Sequence, residues 1–283
     1  MYKKITRWLG LVFLLDGVFT LFFGRKYIRL FNSDDKGGLF HRIISRLLDL
    51  PAWQLRGGGA IEAGMGVALL GKSSLDVPTF YRLVARGYAT IDPGWRNWFY
   101  KEAHQEFDQM ISQGFPRDGK ILDLGCGVGA NVARIIDLQV PFSSYTGVDL
   151  TPEMLAQAKI RYGKLQNVHF QQLNLISDPL PEGPYDMVIS TWVFEHLPDP
   201  VKVANKAWEQ LKPGGRMVLL FEAKADSMLS RIINRIYPFF SAHLVEKKVY
   251  RCFPGEVILE NHFSGPLGDL ALLVIKKAET PSR

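Results

Sequence analysis

The sequence predicts an α/β fold: a seven-stranded, mostly parallel sheet with a C-terminal antiparallel hairpin, preceded by an N-terminal apolar helical hairpin. Three observations carry this expectation. Ile121-Leu122-Asp123-Leu124 is an apolar run that breaks into Gly125-Cys126-Gly127-Val128-Gly129, three glycines at alternate positions, which reads as strand, turn and helix start. Tyr185-Asp186-Met187-Val188-Ile189-Ser190 and Arg216-Met217-Val218-Leu219-Leu220-Phe221 have the near-continuous apolar character of strands buried on both faces. The first third of the chain holds two further apolar blocks separated by a basic stretch.

Those blocks come first in chain order. Trp8 to Phe23 is interrupted only by Asp16, and the glycine-rich Leu55 to Leu70 only by Arg56 and Glu62. Each is short for a bilayer core, which takes ~20 helical residues, so crossing requires tilt, thinning or snorkelling of Arg25, Lys26 and Arg56. Small residues recur four apart, as Gly59 with Ala63, Ala60 with Gly64 and Gly64 with Ala68, the spacing of closely packed membrane helices. A soluble helix pair is the alternative, disfavoured because each interior glycine costs ~1 kcal/mol relative to alanine. No small-x-small cleavage site follows Phe23 closely, and the second block would survive any cleavage, which disfavours a signal peptide. His41 to Leu50 sets Arg42 and Arg46 on one side and Ile43, Ile44, Leu47 and Leu48 opposite, the pattern of a helix lying on anionic lipid. The expected organisation is a membrane-associated helical segment over 1–75 with candidate spans 8–23 and 55–71, a linker over 76–94, and a globular domain over 95–283.

Charge follows the same division. Residues 1–95 hold 13 Lys or Arg and 7 Asp or Glu, whereas 96–283 hold 21 of each, so the net charge of +6 lies in the first third. A nucleic-acid enzyme more often carries its basic excess on the domain that holds the substrate. Histidines and cysteines are scattered without C-x-x-C or H-x-x-x-H spacing, so no metal site is expected and Cys126 and Cys252 read as free thiols in a reducing compartment.

The glycine turn decides the ligand class. Glycines at a strand end let the backbone take positive φ and let a ligand approach main-chain atoms. Dinucleotide folds use G-x-G-x-x-G at a helix N-terminus, whereas this chain has G-x-G-x-G with Asp123 upstream, a poor neighbour for pyrophosphate but a good one for a cationic ligand. Val148-Asp149-Leu150 follows as a second strand with an acidic tip suited to two vicinal ribose hydroxyls. Asp123 to Gly129 together with Asp149 resemble the nucleotide-binding motifs of class I S-adenosylmethionine (SAM)-dependent methyltransferases, a Rossmann-like family.

Further motifs stand in that family's order. Thr151 N-caps a helix with Pro152 at its first position, Val168 to Leu173 is a short third strand, and Leu211-Lys212-Pro213-Gly214-Gly215 resembles the turn before the fifth strand. Val257–Ser264 and Asp269–Ile275 form the closing hairpin. The resemblance covers residues 95–278 and implies SAM as cofactor. It implies a site made of Asp123, Gly125, Cys126, Gly127 and Gly129, of Asp149, Leu150 and Met154 beyond the second strand, and of Leu173, Asn174, Thr191 and Tyr100 around it. Asn174 departs from the aspartate common near the adenine amino group. Trp192 to Pro198 sits where the family lines the methyl group and acceptor. His196, with Glu195 beside it, is the candidate base where an acceptor must lose a proton, and helix capping and packing is the alternative role. Ser227 to Tyr250 reads as an inserted basic amphipathic segment, either an acceptor lid or an ordinary packing helix.

Trp8 to Gly17, Arg25-Lys26-Tyr27 and Leu50 to Arg56 are similar to the YjeT-like small two-span membrane proteins, a resemblance over residues 5–71 that implies no chemistry. The expected function is a membrane-attached methyltransferase for a small or lipid-like acceptor, of quinone-precursor or phospholipid-headgroup type, with its catalytic domain facing the cytoplasm of a bacterial inner membrane. A protein methyltransferase and a non-catalytic SAM-binding scaffold are the alternatives. The loop between the blocks is more basic than the N-terminus, which conflicts with the positive-inside rule for two full spans and leaves the crossing number open. Oligomeric state is not legible.

Overall fold

The computed structural model describes residues 2–29, 39–70, 76–79, 81–82, 85, 88, 100–113, 115–224, 242–265 and 268–279. The chain divides into two compact units, one formed by Met1–Asp76 with Gly87–Pro93, the other by Val77–Arg86 with Gly94–Arg283. The stretch expected as a linker is therefore shared out: 77–86 belongs with the larger unit.

In the first unit, helix α1 (Tyr2–Phe23) packs along helix α4 (Ala52–Leu70), with α2 (Arg25–Ile28) and α3 (Leu39–Asp49) between them in sequence. The two long helices meet through glycine. A Cβ added at Gly17 would lie 2.2 Å from the Ala63 backbone nitrogen, and one at Gly66 would lie 2.2 Å from that of Leu14. Backbones this close gain dispersion along their whole contact, which offsets the entropy that glycine loses in a helix. Asp16 and Glu62 face each other across the pair and share a hydrogen bond. Burial, then the Asp16 charge, pushes the Glu62 carboxyl up to about 7. The Tyr27 hydroxyl donates to Asp16 at 2.6 Å, and Ile28, Ile44 and Leu55 form a small core below. Val12, Leu15, Phe19, Phe22, Phe23 and Trp53 remain exposed. The candidate spans 8–23 and 55–71 do lie in helices, but among the described residues no helix is long and apolar enough to cross a membrane. Asp16, Arg56 and Glu62 interrupt both apolar blocks, and crossing by these segments is not carried forward.

The larger unit is a seven-stranded sheet in the order β3-β2-β1-β4-β5-β7-β6. Its strands are β1 (Lys120–Leu124), β2 (Ser144–Asp149), β3 (Val168–Gln172), β4 (Tyr185–Thr191), β5 (Leu211–Ala223), β6 (Glu256–Gly265) and β7 (Gly268–Lys276). The first five run parallel, and β7 inserts antiparallel between β5 and β6. Central β1 and β4 are buried almost throughout, which is why their sequences show no alternation. Helices α5 (Lys101–Ser112), α6 (Ala130–Asp137), α7 (Pro152–Tyr162), α8 (Pro200–Glu209) and short α9 (Lys247–Tyr250) complete the described elements. One face packs Leu122, Val188, Leu219 and Leu273 under Phe194 and Phe221, the other packs Ile121, Ile189, Val218 and Leu272 under Phe107. β5 begins at Leu211, so the proline-glycine segment expected as a turn before it lies inside the strand, with Gly214 at φ +77°. Most of the expected 227–250 insertion lies outside the described residues.

Strand order reverses between β2 and β4 on either side of β1, so the crevice above the carboxyl ends of β1 and β4 is the topological switch point where α/β sheets bind ligands. For the first unit, Gly17→Leu should cost about 1–3 kcal/mol by forcing α1 off α4, read as a loss of helical signal at lower urea than in the parent protein.

Candidate active site

The loop after β1 reaches the switch point by a left-handed path: Gly125, Gly127 and Gly129 have φ of +69°, +52° and +85°. Gly125 has a second reason to be glycine, because the Val193 side chain fills the space of its missing Cβ at 2.2 Å. The segment after β4 thus lies directly on the turn.

Asp149 closes the ring of contacts from β2. Its Oδ2 accepts the Gly127 N–H at 2.9 Å and its Oδ1 accepts the Thr151 N–H at 2.8 Å. Each oxygen retains acceptor capacity. Burial raises this carboxyl and those N–H donors pull it back. Met154, buried on α7, places its methyl against Gly127, and Leu150 is exposed beside it. Leu173 is buried and donates its N–H to the Asp149 carbonyl at 2.9 Å, holding the ends of β2 and β3 together.

Asp123 occupies a different place from the one its sequence position suggested. It is fully buried beneath the turn, where its Oδ1 accepts from Asn131 Nδ2 at 3.0 Å and its Oδ2 accepts a short hydrogen bond from the Tyr145 hydroxyl. Desolvation pushes its carboxyl up to about 7 against these two donors. Asn131 also contacts Thr191 Oγ1 at 3.3 Å, so β1, β2, α6 and the end of β4 are tied through one carboxylate. Cys126 is buried against Gly147, and burial with the Asp123 and Asp149 charges raises its thiol well above the ordinary value, which keeps it protonated and inert. Asn174 spends its side-chain oxygen on the Ile176 N–H at 2.9 Å, while its own N–H donates to Asp178, so that oxygen serves its own loop.

On the far side of the crevice Tyr100 is buried at the start of α5, its ring edge-on to Trp192 at 5.4 Å. Trp192 holds φ +60°, a conformation a bulky residue adopts only where its surroundings impose it. Buried Arg134 stacks over Phe107, bonds His104 Nδ1 at 2.9 Å and pairs with Asp108 at 2.7 Å, which fixes α5 to α6. Glu195 and His196 stand in a single 3-10 turn over Phe194–His196 but go separate ways. Glu195 is buried, and desolvation with the charge of Glu222 drives its carboxyl well up. His196 is half-buried, with Nε2 3.0 Å from the Tyr81 hydroxyl. Tyr81, Asn131 and Tyr145 were not among the residues expected at the site, whereas Trp192 belongs to the segment expected to line it. The hydrogen bonds of Tyr145 to Asp123, Asn131 to Thr191 and Tyr81 to His196 span 22, 60 and 115 residues and leave no local pattern to find.

Comparison with known proteins gives this crevice a context. Residues 122–217 match the family model described as methyltransferase domain. The chain is similar to such a domain there. It is 29% identical over 151 residues to the ubiquinone/menaquinone biosynthesis C-methyltransferase UbiE of Pasteurella multocida, covering 52% of this chain and 53% of the relative. It is 28% identical over 125 residues to a trans-aconitate 2-methyltransferase of Deinococcus radiodurans, covering 44% and 46%. The chain thus spans about half the length of these curated relatives. In fold it resembles the N-methyltransferase NodS of Bradyrhizobium japonicum WM9, solved in complex with S-adenosyl-l-homocysteine, with a TM-score of 0.55 and 17% identity over 70% of this chain and 99% of that one. The family match does not reach residues 5–71 and so does not bear on the YjeT-like resemblance.

The buried Asp123 carboxyl makes a pH prediction. Its folded pKa of about 7 lies above the ordinary 3.8, so its contribution to stability is complete below about pH 4 and is lost as pH rises through 7. Asp123→Asn should flatten this part of the pH dependence, a change on the order of 4 kcal/mol between pH 4 and pH 8, measured by urea unfolding across that range.

Proposed function

We propose that the chain is a SAM-dependent methyltransferase for a small-molecule acceptor, held on an anionic membrane surface by its first unit. The observation that carries the transferase reading is the left-handed glycine turn closed by Asp149 at the switch point. The residues fit an adenosyl ligand: Asp149 has lone pairs left for two vicinal hydroxyls, the turn offers main-chain atoms that no Cβ covers, and Met154 and Leu150 supply an apolar flank. When bound, SAM supplies a methyl group already activated by its sulfonium. The chain's own work is then to orient an acceptor in line and exclude water, which suits the aromatic wall of Tyr100 and Trp192. The quinone-precursor and trans-aconitate methyltransferases among the relatives support a small-molecule acceptor, and a quinone precursor or phospholipid headgroup fits an enzyme kept at a membrane.

Attachment rests on exposed Val12, Leu15, Phe19, Phe22 and Phe23 on α1 running straight into exposed Arg25, Lys26 and Arg29. An apolar stripe flanked by cations inserts at the interface and neutralises anionic headgroups, at about 1 kcal/mol per basic residue.

Two measurements test the proposal. Calorimetric titration with SAM should show binding that Asp149→Ala weakens at least about 100-fold, since two charge-assisted hydrogen bonds of about 1.5–3 kcal/mol each are lost. Full affinity in that variant would remove the ribose assignment, and labelled SAM should pass its methyl to one species in a small-molecule extract. In the second, full-length protein should sediment with phosphatidylglycerol vesicles. Replacing Arg25, Lys26 and Arg29 with alanine should weaken that by roughly 100-fold, and protein that stays in the supernatant would end the membrane assignment.

A further inference from the structure

The segment 77–86 precedes the sheet by a whole helix, yet it belongs to the larger unit and brings Tyr81 onto the 3-10 turn after β4. Tyr81 Oη lies 3.0 Å from His196 Nε2, and the two rings meet edge to face at 5.5 Å and 88°. Both residues are half-buried. Val193, three residues before His196, packs on Gly125, which puts the dyad on the same loop that covers the glycine turn. A tyrosine and a histidine joined in this way do more than pack, because the hydrogen bond fixes which imidazole nitrogen is available and orders the hydroxyl.

Resting on the methyltransferase reading above, we propose that Tyr81 and His196 form a proton relay to the methyl acceptor, whose attacking atom therefore bears a proton to be removed, as in a phenol, an enol or an ammonium. The acceptor proton passes to Tyr81 Oη while the Tyr81 proton passes to His196 Nε2. The electron pair left on the acceptor forms the bond to the methyl carbon, and the carbon–sulfur bonding pair stays on sulfur. The imidazolium then returns its proton to solvent and the tyrosine is neutral throughout, so charge and atoms balance. A carboxylate acceptor would need no such relay.

Glu195 turns away from the opening into the protein, and burial beside Glu222 drives its carboxyl well up, toward the uncharged form. Arg82 follows Tyr81 and is exposed. The His243 backbone N–H donates to the Glu195 carbonyl at 2.6 Å, anchoring the 3-10 turn without engaging the imidazole. The relay joins Tyr81, upstream of the sheet, to His196 on the loop after β4.

Full-length protein, labelled SAM and a small-molecule extract provide the test, with Tyr81→Phe and His196→Gln as variants. Both should lower the rate of label transfer at saturating SAM at least about 100-fold, with calorimetric SAM affinity unchanged and the double variant no slower than the worse single one. Nitrogen-15 spectra should show a hydrogen-bonded, unprotonated Nε2 at His196 in the parent and its loss in Tyr81→Phe. Full-rate transfer by Tyr81→Phe, a fall in SAM affinity in place of rate, or an unchanged His196 spectrum would overturn the relay. A parent protein that binds SAM but labels nothing would instead remove the transferase reading, and the relay with it.

Discussion

One buried carboxylate organises the crevice. Asp123 sits where β1 ends, wholly removed from water, and each of its oxygens receives a donor from a different element: Tyr145 from β2 and Asn131 from α6. Asn131 then reaches Thr191 at the end of β4. The elements that meet at the topological switch point are therefore tied at their carboxyl ends, where packing of apolar side chains alone would leave them free to splay. A lone buried carboxylate costs several kcal/mol, and this one is tolerable because two donors meet it and because desolvation brings its protonated form within reach near neutral pH. With the floor fixed, the glycine turn above it can hold three alternate left-handed glycines, Gly125, Gly127 and Gly129, in one conformation.

The wall around the opening is held as firmly as the floor. The wall opposite the turn is aromatic, and Trp192 is kept at positive φ by its edge contact with Tyr100 and its N–H bond to the Leu220 carbonyl at 3.0 Å. Strain of this kind persists only where neighbours over-determine the backbone, and such sites gather around binding crevices. α5, which begins at Tyr100, is itself locked to α6 by Arg134, so the wall and the floor share a support. Three buried acids, Asp123, Glu195 and Glu222, stand near the carboxyl ends of three neighbouring strands. Asp123 ties elements together, while burial and then the Glu222 charge drive the Glu195 carboxyl well up.

The first unit obeys a different economy. Its two long helices approach through Gly17 and Gly66 and carry an acid pair, Asp16 and Glu62, between them. Of the small residues spaced four apart in the sequence, Gly59 and Ala63 lie against Gly17, while Gly66 against Leu14 was not among them, and among the described residues no helix is long and apolar enough to cross a membrane. Apolar surface is instead left facing outward on α1 next to a basic cluster, a distribution suited to an interface and not to a core.

The parallel strands, the glycine turn, the acidic tip at Asp149 and the closing hairpin were legible in the sequence because each depends on a local signal: continuous burial, positive φ, or a two-residue period. Legibility ended where a residue's role depends on partners far along the chain. Asp123 read as a ligand-facing charge because it precedes the turn, and only the approach of Tyr145 and Asn131 turned it inward. Asn174 looked like an adenine contact until its oxygen was seen capping its own loop. Glu195 and His196 are adjacent in sequence, but a 3-10 turn sends one into the core and the other toward Tyr81, 115 residues upstream. The sequence by itself determined the mostly parallel sheet and the glycine turn at its switch point, since both follow from local conformational preference and hydrophobic periodicity. Which acids are buried, which histidine has a partner, and where the 77–86 segment belongs were decided by tertiary structure, because desolvation and hydrogen bonding act between residues that meet only when the sheet has closed around them.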